Sequence, residues 1–346
     1  MVKPGPLQAV VVLDGAADPI RGGAPTCLEA ARTPVLDRLT RQGSLHRLQT
    51  IPAGLPSGTE VGLPTLLGVA LAAAPSRGRI EAAAAGVDVG PDEGAWRLDL
   101  VPAREPDAVT VAALGAAVDA LGGRVHHLRG HRLLLVGPSW WGDAPPGPHQ
   151  TDKKLRELAV GPFAGVAKAC KAVLQPGIAW PWGTLGGDER MWPQLDAAWV
   201  ADGGAALGIG RLLGCRVLAP GASMPRTGLL VVHVPGPDDA AHARDRQAKI
   251  AAIEAADQQV LAPLVDKAQR ITVVIDHGTD VVTGRHTISP VPGVVWPAHR
   301  PAGRPTRCTE RLAATQAVQV PSDILDLHQV AVAGAQVARR AVAHQC

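Results

Sequence analysis

The densest chemistry in the chain lies in residues 271–286, where the apolar run Ile271, Thr272, Val273, Val274, Ile275 leads directly into Asp276 and His277, and His286 follows after one short loop. Such a run reads as a buried parallel strand, and ligands in open α/β sheets sit beyond the carboxyl ends of those strands. A carboxylate and two imidazoles gathered there suit a divalent transition metal. A solvated turn that happens to carry polar residues would look the same locally. Two more strand ends repeat the pattern. Val10, Val11, Val12 and Leu13 close on Asp14 and Gly15, and the run LLVVHV closes on Asp238 and His242. Each aspartate alone fits a turn or a helix cap. Caps, however, have no reason to fall after apolar strands three times in one chain. Asp238 and His242 are four apart, so one helical turn puts both on one face. Asp14, Asp238, His242, Asp276, His277 and His286 are therefore candidate metal ligands.

Other residues could act on a bound molecule. In IPAGLPSGTEVGLPTLLG, residues 51–68, a Pro/Gly-rich loop meets a small apolar helix at Thr59, with Glu60 next. A hydroxyl there is either an N-cap or a nucleophile held near helix amides that favour an incoming phosphate. Arg77 and Arg79, in SRGRIEAAAAGV, are either surface residues or guanidinium forks that grip a carboxylate or phosphate. His149, in the Trp/Pro/Gly segment PSWWGDAPPGPHQ, is either an exposed loop residue or a group that gives and takes a proton.

These residues need elements to hold them. The chain has 346 residues, 46% hydrophobic and 19% charged, enough for a large core and more than one domain. Strands alternate with helices, which predicts an α/β core of mostly parallel strands with helices on both faces. Residues 26–44 read as helix divided by Pro34. WVADGGAALGIGRLLG reads as a helix, and residues 244–265 as another with Ile250, Ile253, Ala256 and Val260 on one face. The tail from residue 321 reads as amphipathic helix, and residues 175–189 as a linker. Between about residues 100 and 185 the pattern changes to that of an inserted α/β domain. The expected division is a metal-binding core in residues 1–75 and 186–346, interrupted by a cap over 76–185.

Composition narrows the partners. The net charge is only +3 and no dense basic run with interleaved aromatics occurs, so no nucleic-acid partner is expected. No segment reaches membrane-spanning length and no charged n-region precedes an apolar one, so the expectation is a cytoplasmic protein without a membrane partner. The five cysteines are scattered without CxxC spacing, which argues against a disulfide framework or a thiolate zinc site. They read as small core or surface residues.

Taken together, VVLDGAAD, LPSGTEVGLPTLLG, RGRIEAAAAGV, HVPGPDDAAH, KIAAIEAAD and VIDHGTD followed by His286 resemble the cofactor-independent phosphoglycerate mutases of the archaeal type, members of the alkaline phosphatase superfamily. The resemblance runs over nearly the whole chain and is weakest from about residue 100 to 175. It implies an alkaline-phosphatase-like core with a smaller inserted cap, and two divalent ions, Mn2+ or Zn2+. By similarity, Asp14, Thr59, Asp276 and His277 would hold one ion, and Asp238, His242 and His286 the other. It further implies that Thr59 takes a phosphoryl group from a small phosphorylated acid and returns it to a neighbouring hydroxyl, interconverting 2- and 3-phosphoglycerate. Substrate would lie in the cleft between core and cap, attended by Arg77 and His149.

Departures from the family pattern concern the substrate more than the metals. Thr59 and Glu60 stand where the family places Ser then Asp. Ser76, Arg77, Gly78 and Arg79 replace Gly-Arg-Gly-Pro, and Pro148, His149 and Gln150 replace Pro-His-Asp. These differences keep a second reading open, a metal-dependent phosphohydrolase or phosphodiesterase, for example one acting on a nucleotide-linked phosphonate.

Overall fold

The β-branched runs become neighbouring strands of one sheet. A computed structural model describes residues 5–69, 71, 74–100, 103–142, 163–174, 178–179, 192–219, 222–298 and 305–321. In chain order the strands are β1 (Gln8–Leu13), β2 (Ser44–Leu48), β3 (Glu93–Leu100), β4 (Arg124–Arg129), β5 (Arg132–Pro138), β6 (Ile178–Ala179), β7 (Ala197–Val200), β8 (Arg216–Val217), β9 (Leu229–Val234), β10 (Arg270–Val274), β11 (Gly278–Asp280), β12 (Arg285–Thr287), β13 (Val291–Trp296) and β14 (Val318–Gln319). The helices are α1 (Cys27–Ala30), α2 (Pro34–Gln42), α3 (Thr59–Leu66), α4 (Arg77–Ala85), α5 (Ala108–Asp119), α6 (Phe163–Val173), α7 (Gly204–Leu212), α8 (Gly236–His242), α9 (Arg246–Ala256), α10 (Ala262–Val265) and α11 (Glu310–Ala313). The chain divides into two compact units, one of residues 1–70, 193–202 and 210–346, the other of 71–192 and 203–209.

In the first unit the sheet runs β14-β2-β13-β10-β1-β9-β7-β8. Strands β10, β1, β9, β7 and β8 are parallel, and β13 lies antiparallel between β10 and β2. The fold is thus mixed α/β, with a large, mostly parallel sheet flanked by helices. Val10 pairs with Thr272 on one side and Val231 on the other, and the register continues to the strand ends. That register decides where the chemistry goes, because β1, β9 and β10 all emit their next residues at the same edge. Strand β1 is buried on both faces from Ala9 to Leu13, which is why its sequence is a continuous apolar run rather than an alternation.

Pro34 opens α2 at its first turn and so separates it from the four-residue α1, whose Thr26 and Glu29 form a capping box. Two segments depart from the sequence reading. Trp199 and Val200 belong to β7, so the helix predicted from them begins only at Gly204. In residues 244–265 the buried positions are Lys249, Ile253, Ala256, Asp257, Leu261 and Leu264, whereas Ile250 and Val260 are half-buried. A π-helical turn over Asp257–Leu261 separates α9 from α10 and adds a residue to that turn, which moves the buried face off a strict 3.6-residue period. The gain is visible at Asp257, whose carboxylate accepts the backbone N–H groups of Val35 (3.2 Å) and Leu36 (2.7 Å). It thereby caps α2, since Thr33 makes no side-chain capping bond of its own.

Lys249 is fully buried. Its Nζ donates to the carbonyl of Thr279 at 2.6 Å and lies 3.1 Å from Asp18 Oδ1. Asp18 also accepts the N–H of Cys27 and of Val281, while Glu310 accepts the N–H of Asp18 and the hydroxyl of Thr26. This web joins the exit of β1 to α1, α9, β11 and α11. The four described cysteines, Cys27, Cys170, Cys215 and Cys308, are buried and unpaired, and burial pushes the first three thiols up to about 12, as expected of core residues.

The second unit has a four-stranded sheet in the order β4-β5-β3-β6, antiparallel throughout. One face carries a core of Leu98, Leu114, Leu133, Leu135, Trp141 and Phe163, built with α5 and α6. On the other, Ala82 packs on Ala95, Leu134 and Val136. The tail beyond residue 321 and all of the 175–189 stretch except 178–179 lie outside the described residues. Among the described residues no helix is long and apolar enough to cross a membrane.

The Lys249 web is open to a direct test. Lys249→Met would leave the Asp18 carboxylate buried without its counter-charge, and urea unfolding should show a loss of about 3–5 kcal/mol. Adding Asp18→Asn should recover part of that loss. A single variant as stable as the parent would show that the pair contributes little.

Candidate metal centre

The first cluster forms where β1 and β10 end beside the start of α3. Asp276 Oδ1 accepts the N–H of His277 (3.0 Å) and of Gly15 (3.3 Å), which turns its other oxygen inward. His277 Nε2 lies 3.2 Å from Asp14 Oδ1 and 3.6 Å from Asp276 Oδ2. Helix α3 reaches this spot because Gly62 has no Cβ, and a methyl group there would collide with the carbonyl of Asp276. The N-cap of α3 is Gly58, so Thr59 is the first helical residue and its hydroxyl is not the cap. That hydroxyl instead donates to Asp14 Oδ1 at 3.5 Å.

The second cluster is built from α8 and the β11–β12 hairpin. Asp238 Oδ2 lies 3.2 Å from His242 Nε2, and Oδ1 lies 3.6 Å from His286 Nε2. His242 Nδ1 donates to the carbonyl of Gly284 (2.9 Å) and His286 Nδ1 to that of Ser57 (2.7 Å). A carbonyl only accepts, so in the neutral rings both protons sit on Nδ1 and both Nε2 atoms present lone pairs. Those two nitrogens nevertheless face each other at 2.9 Å. Two lone pairs and a carboxylate at such range repel unless a cation stands between them.

The first cluster makes the same demand. Asp276 Oδ2, His277 Nε2 and His233 Nε2 are buried and have no hydrogen-bond partner among the described residues. Leaving such atoms unsatisfied in the interior is costly. His277 Nε2 and Asp14 Oδ1, 3.2 Å apart, thus converge on a common point. Asp14, Asp276 and His277 offer ligand atoms within 4.8 Å of one another, and so do Asp238, His277 and His286. His277 belongs to both groups, whereas the sequence reading gave it to one. The oxygen and nitrogen donors, with no thiolate, fit divalent ions such as Mn2+ or Zn2+.

Charge follows the same logic. Burial pushes the Asp14 carboxyl well above the usual carboxylate range, and the charges of Asp276 and Asp238 push it further. For Asp238 burial acts upward, but the close imidazoles of His242 and His286 outweigh it and hold the group below its ordinary value. Burial pushes His233 below its ordinary value.

His233 was missed by sequence reasoning, although it stands 3.5 Å from Asp14 Oδ2 and 4.0 Å from Asp276 Oδ2. The signal was present: a titratable side chain inside an otherwise apolar strand is out of place there. Arg77 lies in the second unit, where its Nε donates to Glu81 at 2.8 Å, and Arg97 reaches the same carboxylate at 3.0 Å. Arg79 donates to the carbonyl of Glu93. His149 lies outside the described residues.

Two family models match parts of the chain. The model of the metalloenzyme superfamily matches residues 214–330, which hold Asp238, His242, Asp276, His277 and His286. The model of 2,3-bisphosphoglycerate-independent phosphoglycerate mutase matches residues 40–116, which hold Thr59 and Arg77. The chain is thus similar, in two separate stretches, to the metalloenzyme superfamily and to 2,3-bisphosphoglycerate-independent phosphoglycerate mutases. It is 28% identical to the 2,3-bisphosphoglycerate-independent phosphoglycerate mutase 2 of Methanothermobacter thermautotrophicus, over 83% of this chain and 88% of that protein. It is 27% identical to the mutase of that name from Methanosarcina barkeri, over 83% and 89%. Among solved structures, a Pyrococcus horikoshii protein matches with a TM-score of 0.70 at 19% identity, covering 95% of this chain and 98% of that one. The cofactor-independent phosphoglycerate mutase of Thermoplasma acidophilum matches at 0.53 and 20%, covering 94% and 99%. These structural likenesses show the fold.

The raised carboxyl of Asp14 has a measurable effect. The metal-free protein retains a proton there at pH values where an ordinary carboxylate has lost it, and an entering ion must displace that proton. Mn2+ affinity should therefore rise with pH, and the calorimetric heat of binding should depend on the ionisation enthalpy of the buffer. Asp14→Asn should abolish the buffer dependence and most of the affinity. Binding heats that are equal across buffers would contradict this assignment.

Proposed function

We propose that the chain interconverts 2- and 3-phosphoglycerate, or a closely similar small phosphorylated acid, through a phosphorylated Thr59. The observation that carries the reading is the position of Thr59, first residue of α3 and hydrogen-bonded to Asp14 at the edge of the first cluster. The names of relatives that align with 83% of the chain support it. Asp14, Thr59, Asp276 and His277 would hold one divalent ion, and Asp238, His242 and His286 the other, with His277 near both. When bound, Mn2+ or Zn2+ would lower the pKa of the threonine hydroxyl and neutralise the phosphoryl oxygens.

The chain's own groups account for the remaining steps. Thr59 Oγ1 turns its hydrogen toward Asp14, which leaves its lone pairs for the phosphorus. The first-turn amides of α3 offer donors to the phosphoryl oxygens. The bond from phosphorus to the substrate oxygen breaks as the bond to Oγ1 forms, the hydroxyl hydrogen of Thr59 passes to Asp14, and the freed glycerate oxygen takes a proton. The glycerate then turns, its neighbouring hydroxyl gives up a proton and bonds to phosphorus, and the bond to Oγ1 breaks as Oγ1 recovers its hydrogen from Asp14. Residues 1–75 and 186–346 would carry this chemistry and residues 76–185 the choice of substrate, in a cytoplasmic enzyme acting on a soluble metabolite. Within the second unit Arg77 and Arg97 share Glu81, and burial together with the charges of Arg97 and Arg77 lowers the basicity of Arg132. Such crowding of guanidinium groups suits the carboxylate of a glycerate, with Arg77 as the orienting fork and His149 as a proton carrier.

Purified protein loaded with Mn2+ should interconvert the two phosphoglycerates without added bisphosphoglycerate, and intact-mass analysis should show a phosphoryl adduct. Thr59→Val should lower the rate by at least about a thousand-fold, and Thr59→Ser should retain activity. Release of free phosphate, or of nucleotide from a nucleotide-linked ester, in step with substrate consumption and without interconversion would assign a phosphohydrolase or phosphodiesterase instead.

A further inference from the structure

Thr279 lies between the two clusters and is fully buried. Its Oγ1 is 2.5 Å from Asp238 Oδ1 and 3.3 Å from His277 Nδ1. Sequence reasoning gave it no role.

The hydrogen positions follow from what each atom can do. An ionised carboxylate only accepts, so the short contact with Asp238 uses the single hydroxyl hydrogen of Thr279. Only lone pairs of Oγ1 then remain for His277. Nδ1 of His277 must therefore carry its proton, shared between Thr279 Oγ1 and the more distant carbonyl of Gly278 at 3.4 Å. With the proton on Nδ1, Nε2 is left as a lone pair, and it is Nε2 that faces Asp14 and Asp276. A valine here would supply neither the donor to Asp238 nor the acceptor to His277, although it has nearly the same shape.

The surroundings hold this hydroxyl on both sides. The backbone carbonyl of Thr279 accepts from the buried Nζ of Lys249. Gly15, at φ +59°, lies directly against the side-chain bond, and a Cβ there would overlap Asp238 Oδ1 and stand 2.6 Å from Thr279 Oγ1. A residue that merely filled space would not require the preceding strand exit to be bare at that point.

We propose that Thr279 is a positioning residue that joins the two clusters: one hydroxyl orients the Asp238 carboxylate and, by accepting from Nδ1, fixes the His277 tautomer that presents Nε2 to Asp14 and Asp276. The inference rests on the metal reading of the clusters. It makes the two ion sites depend on one side chain that ligates neither. Groups that orient metal ligands in this way are worth about 10- to 100-fold in ion affinity.

Two measurements test it. In the metal-free wild-type protein at neutral pH, long-range 1H–15N correlation of labelled histidines should show His277 with its proton on Nδ1, and the Nε2–H tautomer would overturn the proposal without any variant. Calorimetric titration with Mn2+, checked by elemental analysis, should show Thr279→Val binding more weakly at both sites by about 10- to 100-fold, with Thr279→Ser restoring both. Two ions bound by the valine variant at wild-type affinity would overturn the proposal, as would weakening at one site alone. Wild-type protein that binds no ion would overturn the metal reading itself, which distinguishes the two failures.

Discussion

The structure depends on an arrangement of acceptors that the protein alone does not satisfy. At the carboxyl ends of β1, β9 and β10 the carboxylates of Asp14, Asp238 and Asp276 meet imidazole nitrogens that present lone pairs, and several of these atoms are buried without a hydrogen-bond partner among the described residues. A fold retains such frustration only where something else relieves it. Much of the first unit keeps the frustrated atoms in place. Parallel register brings three strand ends to one edge, Gly62 lets α3 touch the backbone of Asp276, and the Lys249 web fixes the segment that follows β10.

The loop before α3 is tied into the same assembly. Ser57 donates to the carbonyl of Thr287 at 2.8 Å, and its own carbonyl receives Nδ1 of His286 at 2.7 Å. The residue two places before the proposed nucleophile is thus bonded to a candidate ligand of the second cluster. Displacing the β11–β12 hairpin would pull on both Thr59 and His286. Such sharing of supports suits chemistry that needs an attacking oxygen and its charge-neutralising groups held in a fixed relation.

Much of this was legible in the sequence because parallel strands buried on both faces leave an unmistakable trace, an apolar run ending in a charged residue. Asp14, Asp238 and Asp276 were found by that trace alone, and His242 by its helical spacing from Asp238. What stayed hidden depends on tertiary contact. Lys249 reads as a solvated lysine until a carbonyl and a carboxylate are brought to it from elsewhere in the chain. Thr279 is one more β-branched residue until its hydroxyl is placed between Asp238 and His277. His233 was overlooked because it sits inside a strand whose apolar neighbours dominate the pattern. The burial of α9 was misread because a π turn leaves no periodic signal, only a change of phase that the packed structure reveals.

That turn has one more effect. Asp257 supplies the cap that α2 lacks, from more than two hundred residues further along the chain. During synthesis the first turn of α2 would therefore emerge with its amide donors bare, served only by water, until the segment around residue 257 had left the ribosome. The helix beside β13 acquires its end late, so the amino-terminal half of this core is not a self-sufficient folding unit but is finished by the half made after it.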